Sequence, residues 1–157
     1  MNEVRGSFDA RGRRFAIAAA AFNQLVVDKL VQGALDCFRS HGIQDEDLLV
    51  AWVPGAFEIP VVARRLAEGG RFDAVVCLGA VVRGETPHFD LVAGEAARGI
   101  QQVMMDSGVP ISFGVVTTDT MAQALDRAGG KHGNKGWDAA MAAMQMASVL
   151  DQVGEKE

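Results

Sequence analysis

Residues 74–89 read Ala-Val-Val-Cys-Leu-Gly-Ala-Val-Val-Arg-Gly-Glu-Thr-Pro-His-Phe. The first nine, Ala74 to Val82, are apolar apart from a single glycine, with a Val-Val pair towards each end. Such a run suits a strand buried on both faces, the state of a parallel strand beneath helices. At Arg83-Gly84 it breaks into short polar residues, and a helical pattern begins near Asp90. In an open parallel sheet, ligands sit in the crevice beyond the carboxyl ends of the strands. Gly84 lets the backbone approach a ligand, and Thr86-Pro87 reads as a helix N-cap followed by proline at the first helical position. Amides of that first turn would face an anion with the helix dipole behind them. His88 beside such an anion hole is the candidate for proton transfer.

The pattern repeats on either side. Arg14 to Ala21 (RFAIAAAA) predicts a buried strand, and Asn23 an N-cap for the helix that follows. Val27, Leu30, Val31, Ala34, Leu35 and Phe38 give that helix one apolar face, closed by His41-Gly42. Leu48 to Val53 predicts a second strand, Pro54-Gly55 a turn, and Phe57 to Glu68 a helix with Pro60 confined to its first turn. After the central strand, a helix runs from Asp90 to Ser107, then a strand from Ile111 to Val116. Asp119 or Thr118 is expected to cap a short helix reaching Arg127. Gly129 to Gly136 reads as a glycine-rich kink between two helices, the last running from Trp137 to about Val153. Four β-α units predict an α/β fold, a three-layer α/β/α sandwich around a four-stranded parallel sheet. The expectation is one domain over residues 1–157, with residues 1–13 a polar arm that has little to bury alone.

Hydrophobic residues make up 49% and charged ones 22%, an ordinary globular balance. A net charge of −5 without a Lys/Arg cluster argues against nucleic-acid binding. The start is too polar for a signal peptide and no apolar run approaches membrane-spanning length, so the expected location is the cytoplasm. Cys37 and Cys77 read as packed thiols, and His41, His88 and His132 lack metal-ligand spacing.

Three strand ends carry unusual residues that the topology would gather on one rim: Phe22-Asn23, Pro54-Gly55-Ala56-Phe57-Glu58, and the loop from Arg83 to His88. Singly, each has a plain structural reading. Phe22 is a core aromatic, Glu58 complements a helix dipole, and Arg127 and Lys135 are solvated charges. Together they suggest a substrate. Phe22 offers a ring to stack on a planar heterocycle, Glu58 accepts from hydroxyls, and backbone groups at Ala56 and Ala80-Val81-Val82 pair with ring amides. The Gly84-Glu85-Thr86 amides with a cationic fork, Arg127 the best placed, suit a phosphate ester. Walker A and Gly-x-Gly-x-x-Gly patterns are absent, which argues against a nucleoside triphosphate or dinucleotide.

These segments resemble one family. Phe22-Asn23, Pro54-Gly55-Ala56-Phe57-Glu58-Ile59-Pro60, Leu78 to Phe89, Phe113-Gly114-Val115, Arg127-Ala128-Gly129 and Gly133-Asn134-Lys135-Gly136 are similar, in order and spacing, to lumazine synthases. The likeness runs from about Gly6 to Val149. It implies a flavodoxin-like fold and a reaction joining 5-amino-6-(D-ribitylamino)uracil to 3,4-dihydroxy-2-butanone 4-phosphate, without a cofactor. By the same resemblance, Phe22 stacks on the uracil, and Ala56, Phe57, Glu58, Ala80, Val81 and Val82 hold the ring and ribityl chain. Glu85 and Thr86 bind the butanone phosphate, Arg127 and Lys135 its phosphate, and His88 moves protons. Phe113 and Arg127 are implied to come from a neighbouring copy. Two positions depart from the family: Ala21 stands where many members have arginine, and Pro87 separates Thr86 from His88.

The resemblance also implies a homo-oligomer, a pentamer at minimum, with the arm pairing onto a neighbour's sheet. The short 129–136 segment is similar to that of members whose pentamers build icosahedral shells, and riboflavin synthase is the candidate protein partner. The competing reading is a flavin- or pterin-binding or shell-forming protein on the same scaffold without catalysis. It has no use for a paired His88 and Arg127.

Overall fold

The computed structural model describes residues 1–154. Phe15–Ala20 (β1), Leu48–Val53 (β2), Ala74–Val82 (β3) and Ile111–Thr118 (β4) form one parallel sheet in the order β2-β1-β3-β4. Gln24–Ser40 (α1), Ile59–Glu68 (α2), His88–Ser107 (α3), Met121–Asp126 (α4) and Lys135–Gly154 (α5) connect or follow the strands. The flavodoxin-like three-layer arrangement is as expected.

The central strands are apolar on both faces because helices cover both. Phe15, Ile17 and Ala19 of β1 and Val76, Leu78 and Ala80 of β3 pack with α1 and α5. The alternate residues, Ala18, Ala20, Val75, Cys77 and Val81, pack with α2 and α3. This is the two-residue period of a strand expressed inside an all-apolar run. Phe15 stacks on Phe38 of α1 with ring centroids 4.6 Å apart, tying the start of β1 to the end of that helix. The edge strand β2 is only half-buried apart from Val53, and Trp52 is exposed. At the end of α1, Gly42 takes φ 86, the left-handed conformation expected of a helix terminator.

Several local expectations need correcting. Asn23 occupies the N-cap position of α1 but makes no capping bond; its side chain is spent elsewhere. Helix α3 begins at His88, one residue after Pro87, and the Thr86 hydroxyl reaches only the His88 amide at 3.4 Å. The cap of α4 is Thr120, not Asp119 or Thr118: β4 runs on to Thr118, and Thr120 forms a reciprocal capping box with Gln123. The glycine-rich segment is not a plain kink. Ala128–Gly130 (β5) and Gly133–Asn134 (β6) form a small antiparallel hairpin, permitted by Gly129 and Gly133 at positive φ.

The arm has no strand within this chain and lies along its own α5. Ser7 N donates to Ser148 Oγ (3.0 Å), Gln152 Nε2 to the Arg5 carbonyl (2.9 Å), and Arg13 pairs with Asp151 at 2.7 Å. Ala10, contrary to expectation, is buried in the core. Among the described residues no helix is long and apolar enough to cross a membrane.

Both cysteines are free and buried. Loss of solvation pushes the Cys77 thiol up to about 12, and burial, with the Asp138 carboxylate adding to it, does the same for Cys37. Neither thiol should react with iodoacetamide at about pH 8 in the native protein, and both should react after unfolding. Labelling of native Cys77 would contradict this packing. An unfolded thiol ionises near 9.0 while the folded ones hold their protons to about 12. The native state therefore loses stability as pH rises through that interval.

Candidate functional site

The chain ends of β1, β2 and β3 meet at one rim. Beyond β1, the Ala21 amide donates to the Val53 carbonyl (2.8 Å) and the Phe22 amide to that of Pro54 (3.0 Å), so this strand exit is stitched to the β2 exit. On the other side, Asn23 Nδ2 donates to the Ala80 carbonyl of β3 at 2.9 Å. Asn23 is the only non-glycine residue at positive φ among the described residues (φ 61, ψ 45). Phe22 is held between these two attachments and is 71% exposed. An exposed aromatic on an anchored backbone is a stacking platform.

After β2, Ala56–Glu58 forms a single 3-10 turn, closed by Glu58 N donating to the Gly55 carbonyl (3.1 Å). Ala56 points inward and is buried, while Phe57 and Glu58 face out. Pro60 falls in the first turn of α2, where its missing N–H costs nothing.

The loop after β3 is clasped by Arg83. Its amide donates to the Thr118 carbonyl (2.8 Å), and its Nε donates to Asp119 (2.9 Å). Its guanidinium lies 3.7 Å from Asp90 and 4.3 Å from the centroid of the Phe89 ring. The sequence placed Arg83 at the start of this rim loop without a partner, so the clasp was missed. The amides of Gly84, Glu85 and Thr86 have no hydrogen-bond partner among the described residues and stand before the twenty-residue helix α3. Free amides ahead of a helix N-terminus favour an anion there.

These three segments enclose a cleft of about 680 Å³, within the range of small-molecule sites. Phe22, Ala56, Phe57, Glu58, Ala80, Val81, Val82, Thr86 and His88 all line it. Its walls are largely apolar, with Asn23, Glu58, Thr86 and His88 as polar exceptions. Glu85 is exposed on the loop between the lining residues Gly84 and Thr86, without lining the cleft itself.

Phe113, Arg127 and Lys135 lie elsewhere. They line a second cleft of about 470 Å³ between the outer strand β4 and α5, and no residue lines both clefts. Phe113 is 48% exposed on β4. The β5–β6 hairpin brings the two residues together through their backbones: Lys135 N donates to the Arg127 carbonyl (2.8 Å). Asn134 anchors this unit. Its Oδ1 accepts from the Gly136 and Trp137 amides, capping α5, and its Nδ2 donates to the Lys29 carbonyl of α1. One guanidinium nitrogen of Arg127 donates to the Gln123 carbonyl (2.9 Å), which sets the direction of the fork. Asp138, not singled out in the sequence, sits 3.7 Å from Lys135 Nζ on the next turn and lines this cleft.

The family model for 6,7-dimethyl-8-ribityllumazine synthase matches residues 12–151. A curated 6,7-dimethyl-8-ribityllumazine synthase of Nitratidesulfovibrio vulgaris (strain DSM 19637 / Miyazaki F) is 51% identical over 150 residues, spanning 96% of each chain.

Proposed function

This chain belongs to the 6,7-dimethyl-8-ribityllumazine synthase family, and from that membership we propose that its two clefts are halves of one active centre completed between neighbouring copies. The enzyme is a transferase. It condenses 5-amino-6-(D-ribitylamino)uracil with 3,4-dihydroxy-2-butanone 4-phosphate to give 6,7-dimethyl-8-ribityllumazine, the penultimate step of riboflavin biosynthesis. The separation of Phe22 and His88 from Phe113 and Arg127 within one chain carries the shared-site reading.

In this assignment Phe22 stacks on the uracil ring. Ala56, Phe57 and Glu58, with the backbone of Ala80, Val81 and Val82, hold the ring and its ribityl chain. Glu85 and Thr86 take the butanone phosphate at the mouth of α3. A neighbour's Arg127, with Lys135 beside it, grips the phosphate, and its Phe113 closes over the ring. The uracil amine attacks the ketone and loses one water to form an imine between the two substrates, phosphate leaves by elimination, and the ring closes with loss of a second water. Holding two reactants in register supplies roughly 7–11 kcal/mol of such a barrier. His88 moves the protons, and no cofactor is used.

The minimal assembly in this proposal is a pentamer, with shells of pentamers favoured by the short β5–β6 hairpin and readable by light scattering. The arm exchanges its contacts on α5 for a neighbour's sheet edge, and riboflavin synthase is the candidate partner in the cytoplasm.

Mixing experiments test the shared site. A Phe22→Ala/His88→Ala chain and an Arg127→Ala chain, each impaired alone, should regain activity when refolded together. In a head-to-tail ring about a quarter of random interfaces join two intact halves. A mixture no more active than the average of its parents would refute the proposal.

His88→Ala should lower kcat by about 10²-fold, the low end for general acid–base help, because holding the two reactants together is left intact. Unchanged turnover would remove His88 from the proton transfer.

A further inference from the structure

We infer that Asn23 is the positioning residue that sets the uracil platform, an inference that rests on the assignment of Phe22 to the ring stack. Only Ala21, Phe22 and Asn23 separate β1 from α1. Within those residues the chain must leave the sheet, expose Phe22, and bury Val26 and Val27 completely. A left-handed residue achieves this reversal in one step, and asparagine tolerates it better than other residues with a side chain.

Asn23 also departs from its ordinary local chemistry. An asparagine at an N-cap normally accepts from the first turn of its own helix. Here the side chain makes no such bond and reaches across to the Ala80 carbonyl. The backbone pairing of β1 with β3 extends only to Leu78, so Ala80 lies beyond the ladder, and Asn23 extends the pairing by one side-chain bond. The Phe22 amide is already bonded to the Pro54 carbonyl on the opposite flank. Phe22 is thereby fixed relative to both backbone segments assigned to the ring, 56–58 and 80–82. A residue that forgoes its cap and accepts an unusual φ is doing so for the site it borders.

The variants separate conformation from attachment. Asn23→Gly keeps the left-handed turn and loses the bond; Asn23→Asp keeps the shape and sets a carboxylate against a carbonyl oxygen. Both should raise KM for the uracil substrate by roughly five- to tenfold, about one hydrogen bond's contribution. KM for the butanone phosphate and kcat should stay close to wild type, because the loss falls on uniform ring binding. A general structural defect would instead lower kcat and disturb both KM values. Phe22→Ala is the control: it should raise the same KM. If Phe22→Ala raises it and Asn23→Gly does not, the role of Asn23 is overturned. If Phe22→Ala itself changes nothing, the ring-stack assignment fails first. Should Asn23→Gly not assemble, the isosteric Asn23→Asp decides by the same KM comparison, wild-type values again overturning the inference.

Discussion

Arg127→Ala is expected to lower kcat/KM for the butanone phosphate by roughly 10²–10³-fold, more than the loss at His88. A protein of net charge −5 must concentrate positive charge locally to hold a dianion. Arg127 offers a planar fork whose orientation is already set by the Gln123 carbonyl and by the hairpin beneath it. Charged hydrogen bonds contribute about 1.5–3 kcal/mol each, and a bidentate pair therefore accounts for roughly two to four powers of ten, of which the lower part is expected here. Lys135 remains in the same cleft after the substitution and keeps the loss from being total. Arg127→Lys should recover only part, since a point charge does not reproduce the fork. Steady-state kinetics with each substrate varied separately makes the check. The butanone phosphate KM should rise while the uracil KM holds. An unchanged butanone phosphate KM would take Arg127 out of the phosphate site.

The largest expected effect on stability is at Gly136, in the first turn of α5 where that helix crosses α1. A Cβ built there would lie 2.6 Å from the Leu30 carbonyl carbon and 2.9 Å from Leu30 Cα. These are backbone atoms of a neighbouring helix, so no rotamer change relieves the clash. Overpacking a well-filled interior costs typically 1–3 kcal/mol, and Gly136→Ala should stand at or above about 3 kcal/mol because two helices must separate. For a chain of this length that is a fall in Tm of roughly 6–12 °C, compared at one protein concentration because assembly contributes. The same shift would move the Asn134 anchor and the Arg127–Lys135 hairpin, so phosphate binding should weaken alongside stability. A variant within about 1 kcal/mol of wild type in denaturant unfolding would show that the α1–α5 contact yields more easily than its geometry implies.

Much of the architecture could be read directly because apolar runs and glycine or proline breaks are local signals. The Leu48–Val53 strand and the Ala74–Val82 strand were expected with the bounds they have. The segments at Phe22, Ala56-Phe57-Glu58, Ala80 to Val82 and Thr86 to His88 were expected on one rim, and one cleft joins them. The misreadings came where a residue chooses between local and distant partners. Asn23 and Thr118 have the side chains of helix caps, yet Asn23 bonds to β3, and Thr118 is held in β4 by its pairing with Val82 of β3. Gly129 to Gly136 looked like a kink because glycine signals a turn without specifying the pairing on either side.

The order of apolar and polar residues by itself determined the alternation of strands and helices, the two buried faces of the central strands, and which chain segments carry site chemistry. It did so because hydrophobic burial and backbone conformational preference act over a few neighbouring residues. Only the tertiary structure decided that Phe22 is suspended between the exits of β2 and β3, and that Arg83 clasps the anion loop. It alone also placed Phe113 and Arg127 in a cleft apart from His88. Those outcomes depend on which strand exits become neighbours across the sheet, a long-range relation to which no local pattern is sensitive.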